Sequence, residues 1–183
     1  AIALGPGLGI GQEQIHLLTN LLAQAKPLVL DADALNILAT YHELLRQLPV
    51  QSILTPHMKE FDRLFGTHEN WWQRVATAQQ KAKELQIFII LKDHHTAIVT
   101  PQKKVYYNIT GNSGMAKGGS GDVLTGILTS LISQKYDIEK ACIFGVWLHG
   151  KAGDFAAVAY SKEAMLPTDL INKIGSAYQC LNT

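Results

Sequence analysis

Short apolar runs alternate with amphipathic stretches through the first half of the chain. "AIAL" at the start, the apolar part of "PLVLDADAL", "QSILTP" and "IFIILK" each read as a buried strand. Between them, Ile15, Leu18, Leu21 and Leu22 recur at helical spacing, and a helix is predicted from about Asn36 to Leu48. "MKEFDRLFG" reads as a short helix with Gly66 as its stop. Trp71, Trp72, Val75, Ala78, Ala82 and Leu85 line one side of a longer helix. "TAIVTPQKKVYYN" alternates around a polar turn and predicts a hairpin. Three helical segments follow, Asp122 to Ser133, Ile138 to Tyr160 and Thr168 to Leu181. The strand–helix alternation predicts a mostly parallel sheet with helices on both faces. With no repeat, low-complexity tract or linker, residues 1–183 read as one domain. The chain opens inside an apparent buried strand, so an N-terminal portion of that domain is expected to precede it.

Composition narrows the function. The chain is 47% hydrophobic and 17% charged with a net charge of +1, and it has no basic block, which argues against a nucleic-acid partner. No apolar run approaches the ~20 residues of a membrane span, and no signal peptide is visible. Cys142 and Cys180 lie far apart without CxxC spacing, as in a reducing compartment, and suggest neither a disulfide framework nor a zinc site.

The chemistry concentrates in "GNSGMAKGGSGDVLTG". Val123, Leu124, Ile127, Leu128, Leu131 and Ile132 recur at helical spacing, so a helix begins near Asp122. Its first N–H groups lack partners within the helix and carry partial positive charge. Gly118, Gly119 and Gly121 put no side chains between those amides and an anion. Asp122 is either a helix cap or a base for a hydroxyl attacking the bound phosphate. The Walker pattern is not matched.

Other strings surround this one. "GPGLG" after the first strand invites a dinucleotide-binding reading, but the third glycine position falls on Ile10; a plain turn is the other reading. Asp31 and Asp33 stand at a strand's C-terminal end, where open α/β sheets bind ligands, with a helix cap as the alternative for Asp33. His57 sits where a strand hands over to a helix, and Lys92 closes the most apolar strand. His94 and His95 are adjacent, a poor metal pair. His149, Gly150, Gly153 and Asp154 lie in the penultimate helix, where small residues favour close helix packing, and Thr168 is a candidate cap.

Together these strings resemble one family. G-[TS]-G-D opening a helix resembles the anion-hole motif of the ribokinase-like superfamily, and the longer string is similar to the GNPGMATGGTGDVLTG of the ADP/ATP-dependent NAD(P)H-hydrate dehydratases. Ser113, Lys117 and Ser120 depart from it. Ser120 is a mild change, Ser113 loosens the turn, and Lys117 adds a positive charge that either assists the anion or faces solvent. GPGLG, D-A-D-A-L, T-P-H-x-x-E, H-G-x-A-G-D and the start of the final helix are also similar. Lys92 and Thr96 match K-G-x-x-T, but Asp93 stands in place of its glycine, a charge an anion would disfavour.

The likeness, from Ala1 to about Ile174, implies a three-layer α/β/α ribokinase-like fold with a mostly parallel central sheet. It implies a hydro-lyase that dehydrates NADHX and NADPHX using ADP or ATP with Mg²⁺. Asp122 is the implied catalytic base; Gly7, Gly9, His57, Asn112 and Asp122 the implied substrate contacts; Lys92, Asp93, His94, His95, Thr96, Gly119, Ser120 and Gly121 the implied nucleotide contacts. No protein metal site is implied, and a cytoplasmic homo-oligomer without membrane or nucleic-acid partners is expected. Two rivals remain: a vitamin or sugar kinase of the same superfamily using Asp122 on a stable alcohol, and a non-catalytic nucleotide-binding protein.

Overall fold

The computed structural model describes residues 1–181, which gather into two compact units. The first comprises Ala1–Asp93 and Ala97–Tyr107, the second His94–Thr96 and the chain from Asn108 onward.

The first unit is built on a six-stranded sheet in strict sequence order. β1 (Ile2–Leu4), β2 (Leu28–Leu30), β3 (Ile53–Leu54) and β4 (Phe88–Leu91) are parallel neighbours. β5 (Ala97–Val99) and β6 (Val105–Tyr107) extend it as the predicted antiparallel hairpin. The parallel register sets Ala3 against Val29, Val29 against Ile53 and Ile53 against Phe88, so the four strands finish along one sheet edge. Gly5, Asp31, Thr55 and Lys92 each follow a strand there.

The crossovers are α1 (Gln12–Leu22), α2 (Ala32–Thr40), a 3-10 turn (His42–Gln47), α3 (Met58–Phe65) and α4 (Trp71–Leu85). Leu18, Leu35, Leu38, Phe61, Val75 and Ala82 from these elements pack in one core with Leu28, Leu30, Leu54, Ile89 and Leu91 of the strands. Those strand residues share one face by the period-two alternation. A strand order that advances monotonically, with crossovers of one hand, requires consecutive helices to share a face. Val29, Ile53 and Ile90 on the opposite face are equally buried, which is why the runs read as continuously apolar. Each such leucine or isoleucine contributes about 1.5–3 kcal/mol by leaving water.

Two predictions need correction. The helix expected over Asn36 to Leu48 starts earlier, at Ala32, and breaks at Tyr41 (φ −113°, ψ 70°). The 3-10 turn that follows buries Leu44 and Leu45. Trp72 is 70% exposed: it lies 100° round α4 from Trp71, off the stripe that Val75, Ala78 and Ala82 bury.

The second unit holds a 3-10 turn (Ser113–Met115), α5 (Ser120–Ser133), α6 (Ile138–Ala164) and α7 (Pro167–Gln179). Ile127, Leu131, Leu148, Ala152 and Leu170 form its core. Phe144 stacks on Trp147 and meets Tyr178 edge-on. The regular part of α6 ends at Tyr160, as predicted, because Ser161 leaves helical geometry (φ 68°, ψ 161°). Thr168 is not a cap. Leu166 is the N-cap of α7, Pro167 takes the first turn, and Asp169 accepts the Leu166 N–H at 2.8 Å. Among the described residues, no helix is long and apolar enough to cross a membrane.

Candidate functional site

In the first unit, the chain leaves β1 through Gly5. A Cβ there would lie 1.7 Å from the Asp31 carbonyl oxygen, so only glycine fits. Leu8 N–H donates to Gly5 O at 3.0 Å and closes the turn. Gly7 at its tip is exposed, and a side chain at that point would meet no atom within 4 Å. Gly9 N–H donates to Asp33 Oδ2 at 2.8 Å. Asp33 is therefore not the cap of α2, a position held by Asp31; its carboxylate fixes the glycine loop instead. Arg63 Nη1 donates to Asn36 Oδ1 at 2.6 Å. A cleft of about 510 Å³ opens here, with Gly9, Ile10, Asp33, Asn36, Thr40 and Arg63 in its walls.

Asp31 and Lys92 meet at the strand ends. Lys92 Nζ lies 2.8 Å from Asp31 Oδ1, and the Asp31 side chain is only 3% exposed. A carboxylate so far from water requires a partner, so the Lys92 charge is engaged with Asp31. Ala32, next in the chain, is held at φ 46°, a left-handed conformation costly for a residue with a β-carbon. Asp93 lies just beyond and is exposed.

His57 is the N-cap of α3. Its Nδ1 accepts N–H bonds from Lys59 (3.1 Å) and Glu60 (3.3 Å), and Glu60 Oε2 accepts the His57 N–H at 2.8 Å. This reciprocal pair is a capping box with histidine in the usual Ser/Thr place. With Nδ1 accepting, the ring proton belongs on Nε2. Burial is the largest influence on the His57 pKa and moves it below the ordinary histidine value; Lys92 and Arg63 push the same way and Glu60 opposes them. The half-exposed ring is therefore a neutral donor through Nε2, which lies 3.5 Å from Glu60 Oε1.

In the second unit, Gly119 is the N-cap of α5 in the left-handed region (φ 95°, ψ −22°). No side chain caps the helix, and beside Gly118 there is open space. The Ser120 N–H turns back to Lys117 O at 3.4 Å, which leaves the Gly121 and Asp122 amides at the helix N-terminus, the arrangement that binds anions. Asp122 is the third residue of this helix and is exposed. It makes no capping bond, so the cap alternative is set aside. Ser120 is buried, and its carbonyl accepts from His149 Nε2 at 2.8 Å.

The loop before the cradle is held by Asp154 of α6. Asp154 Oδ2 accepts the Gly111 N–H and Oδ1 accepts Asn112 Nδ2, both at 3.1 Å, while Asn112 Oδ1 accepts the Gly114 N–H at 3.0 Å. Asn112 is thereby engaged at both ends of its amide, and Ser113 opens the 3-10 turn. Gly150 and Gly153 do give close packing, but of this loop rather than of a helix. A Cβ on Gly150 would meet Thr110 Oγ1 at 2.3 Å, and one on Gly153 would meet Met115 Sδ at 2.2 Å. Lys117 is exposed, and its ammonium donates to the carbonyls of Lys162, Glu163 and Met165. His94 and His95 pack edge-to-face at 4.4 Å, and Thr96 O accepts the Asn108 N–H at 2.9 Å. A groove of about 730 Å³ runs from Gly119 and Asp122 along α5 and α7, past Val123, Ile127 and Ile171 to Tyr178.

The candidate site thus comes in two sets. Gly7, Gly9, His57, Lys92 and Asp93 belong to the first unit, and His94, His95, Thr96, Asn112, Gly119, Ser120, Gly121 and Asp122 to the second. Asn36 and Arg63 escaped the sequence reading, because nothing in their spacing marks them as cleft residues. Asp154 was assigned to helix packing, although its place in H-G-x-A-G-D was visible.

The family described as NAD(P)H-hydrate dehydratase, of the carbohydrate-kinase type, matches residues 1–176. A bifunctional NAD(P)H-hydrate repair enzyme from Thermofilum pendens is 37% identical over 98% of this chain and 35% of its own length. The crystal structure of an ADP/ATP-dependent NAD(P)H-hydrate dehydratase from Bacillus subtilis, co-crystallised with ATP and Mg²⁺ and soaked with CoA, superposes with a TM-score of 0.83. It is 30% identical, over 97% of this chain and 65% of that one. A ribokinase-like superfamily protein from Enterococcus faecalis superposes with a TM-score of 0.80 at 27% identity, over 98% of this chain and 63% of that one. The chain therefore spans about a third of the Thermofilum protein and just under two thirds of these structures. With its sheet order, its glycine-capped helix and this match over nearly its whole length, the chain belongs to the NAD(P)H-hydrate dehydratase family and has a ribokinase-like α/β fold.

Proposed function

We propose that this chain carries the dehydratase activity for which its relatives are named, converting NADHX and NADPHX back to NADH and NADPH with ADP or ATP as phosphoryl donor. The observation that carries the reading is the bare N-terminus of α5, with the exposed Asp122 carboxylate in its first turn. The amides after Gly119 hold the phosphoryl group as charge develops on it. Asp122 takes the proton of the hydrate's hydroxyl as that oxygen attacks phosphorus. The new P–O bond forms as the bond to the leaving nucleotide breaks. Phosphate then departs with the C–O bond and a ring proton is lost, restoring the ring double bond. Gly7, Gly9, His57 and Asn112 are the proposed hydrate contacts, His57 through its Nε2–H and Asn112 through the loop it shapes. Lys92 to Thr96 and Gly119 to Gly121 are the proposed nucleotide contacts. Positioning and charge stabilisation supply most of the rate.

Among the described residues no three His, Cys, Asp or Glu side chains gather as a metal site. The Mg²⁺ of this reading arrives on the nucleotide's phosphates and keeps several waters, its usual habit with phosphate substrates. Its chemistry there is to neutralise phosphate charge. Exposed Ile171 and Tyr178 on α7 are surface that a homo-oligomer would cover, and the reading places the reaction in the cytoplasm.

The test is to incubate the protein with hydrated NADH or NADPH, ADP or ATP, and Mg²⁺. Recovery of the dihydronicotinamide near-ultraviolet absorbance, with one inorganic phosphate released per ring, is the expected result. A stable phosphate ester on another alcohol would favour the kinase reading. A thermal shift with nucleotide but no turnover of either hydrate would overturn the enzymatic reading.

A further inference from the structure

Aspartate is among the best helix caps, because its carboxylate accepts N–H bonds from the first turn. Asp31 holds the N-cap position of α2 and makes no such bond. Its carboxylate is turned to Lys92 instead, with Nζ 2.8 Å from Oδ1 and 3% of the aspartate side chain exposed. The next residue, Ala32, is left-handed at φ 46°, a strained conformation for a residue with a β-carbon. The chain thus forgoes a cap and accepts strain at one point, and the result of both is the placement of this carboxylate. Strain of this kind gathers at functional positions.

Strand order sets what the ion pair spans. β3 lies between β2 and β4; Asp31 follows β2 and Lys92 follows β4. With strands about 4.8 Å apart, the two backbones stand roughly 10 Å from each other, a gap that the long lysine side chain closes. Between them the chain leaves β3 as Thr55, Pro56 and His57. On one side the Thr55 N–H and hydroxyl donate to Leu30 O, at 3.1 and 3.3 Å. On the other the Lys92 N–H donates to Pro56 O at 2.9 Å, and His57 pairs with Lys92 in a parallel bridge. The His57 ring feels both charges. After burial, the largest influence on its pKa, Glu60 and Asp31 act upward and Lys92 and Arg63 downward.

We propose that the Asp31–Lys92 ion pair is a clamp across the end of β3 that sets the position and charge surroundings of His57, making Asp31 and Lys92 positioning residues of the hydrate site. The ammonium is committed to Asp31, so the stretch from Lys92 to Thr96 meets the nucleotide through its other atoms. The bearing on the hydrate rests on the dehydratase reading above; the clamp on His57 does not.

Asp31→Asn, Lys92→Met and the double variant nearly keep side-chain size while removing one charge or both. The measurements are kcat and KM for hydrated NADH, the Kd for ADP by calorimetry, Tm, and the titration of the His57 ring by NMR. Each single variant should raise KM on the order of tenfold, as for one lost charge-assisted bond. It should leave kcat within about threefold and the ADP Kd within about twofold. The double variant should lose no more than either single, because both act through one bond. His57 should titrate higher in Lys92→Met, which leaves the Asp31 carboxylate beside it, and lower in Asp31→Asn, with the double variant between them. Weaker ADP binding in Lys92→Met alone would make Lys92 a phosphate contact and overturn the proposal. So would losses that add in the double variant, a lowered Tm with unchanged KM, or failure of all three variants to fold. If wild type turns over neither hydrate while the His57 titration moves as stated, the clamp stands and the dehydratase reading falls. If turnover is normal and no variant moves the His57 titration, the dehydratase reading stands and the clamp falls.

Discussion

Replacing Asp154 by alanine should loosen the loop that leads into the cradle. Its carboxylate accepts two bonds, from the Gly111 amide and the Asn112 side chain, each at 3.1 Å. Hydrogen bonds to a charged group contribute about 1.5–3 kcal/mol each. Asp154 is only part-buried, so the low end applies, about 3 kcal/mol for the two together. The Asn112 bond to Gly114 N–H (3.0 Å) loses its anchor as well. For a chain of this size, about 2–4 °C of Tm accompanies each kcal/mol, giving a fall of about 6–12 °C. Asp154→Asn keeps one acceptor oxygen and should show roughly half that loss. Thermal unfolding by circular dichroism reads the first quantity. Hydrogen exchange at Gly111 and Gly114 reads the second, since both amides should lose protection while α7 keeps its own. A Tm for Asp154→Ala within 2 °C of wild type, or unchanged exchange at Gly111, would refute the reasoning.

Three further outcomes are expected. Asp122→Asn should leave nucleotide binding within a few-fold but cut turnover by about 10²–10⁴; a variant with half the wild-type rate would remove Asp122 from proton transfer. Gly5→Ala should prevent folding, because its Cβ would lie 1.7 Å from the Asp31 carbonyl oxygen, and recovery of soluble protein with a native Tm would contradict that close approach. His57 binds its proton more weakly folded than unfolded, so the unfolded chain takes up protons first as pH falls. Its capping contribution should be complete above the ordinary histidine value of 6.5 and lost as pH drops through the lower folded one. The stability difference between wild type and His57→Asn, which caps without titrating, should shift against wild type as pH falls below the ordinary histidine value of 6.5; a flat difference would mean that Nδ1 is not the acceptor.

By itself the sequence determined what depends on neighbours a few residues away. The apolar runs of β2 and β4, the Val75–Ala78–Ala82 stripe, the Gly66 stop and the hairpin around residues 100–104 were legible because strand and helix periods are local. So was the start of α5 behind a glycine run, since a glycine before a helix leaves the first amides without side-chain cover in any fold. Tertiary structure alone decided which polar side chains are occupied. Lys92 meets Asp31 across 61 positions, Asn112 meets Asp154 across 42, and Lys117 finds its carbonyls 45 to 48 positions away. Thr168 likewise lost the cap position to Leu166 and Asp169, because Pro167 suits the first turn of a helix. A charged or amide side chain satisfies itself with whichever partner the packing brings within 3 Å, and sequence spacing carries no record of that distance.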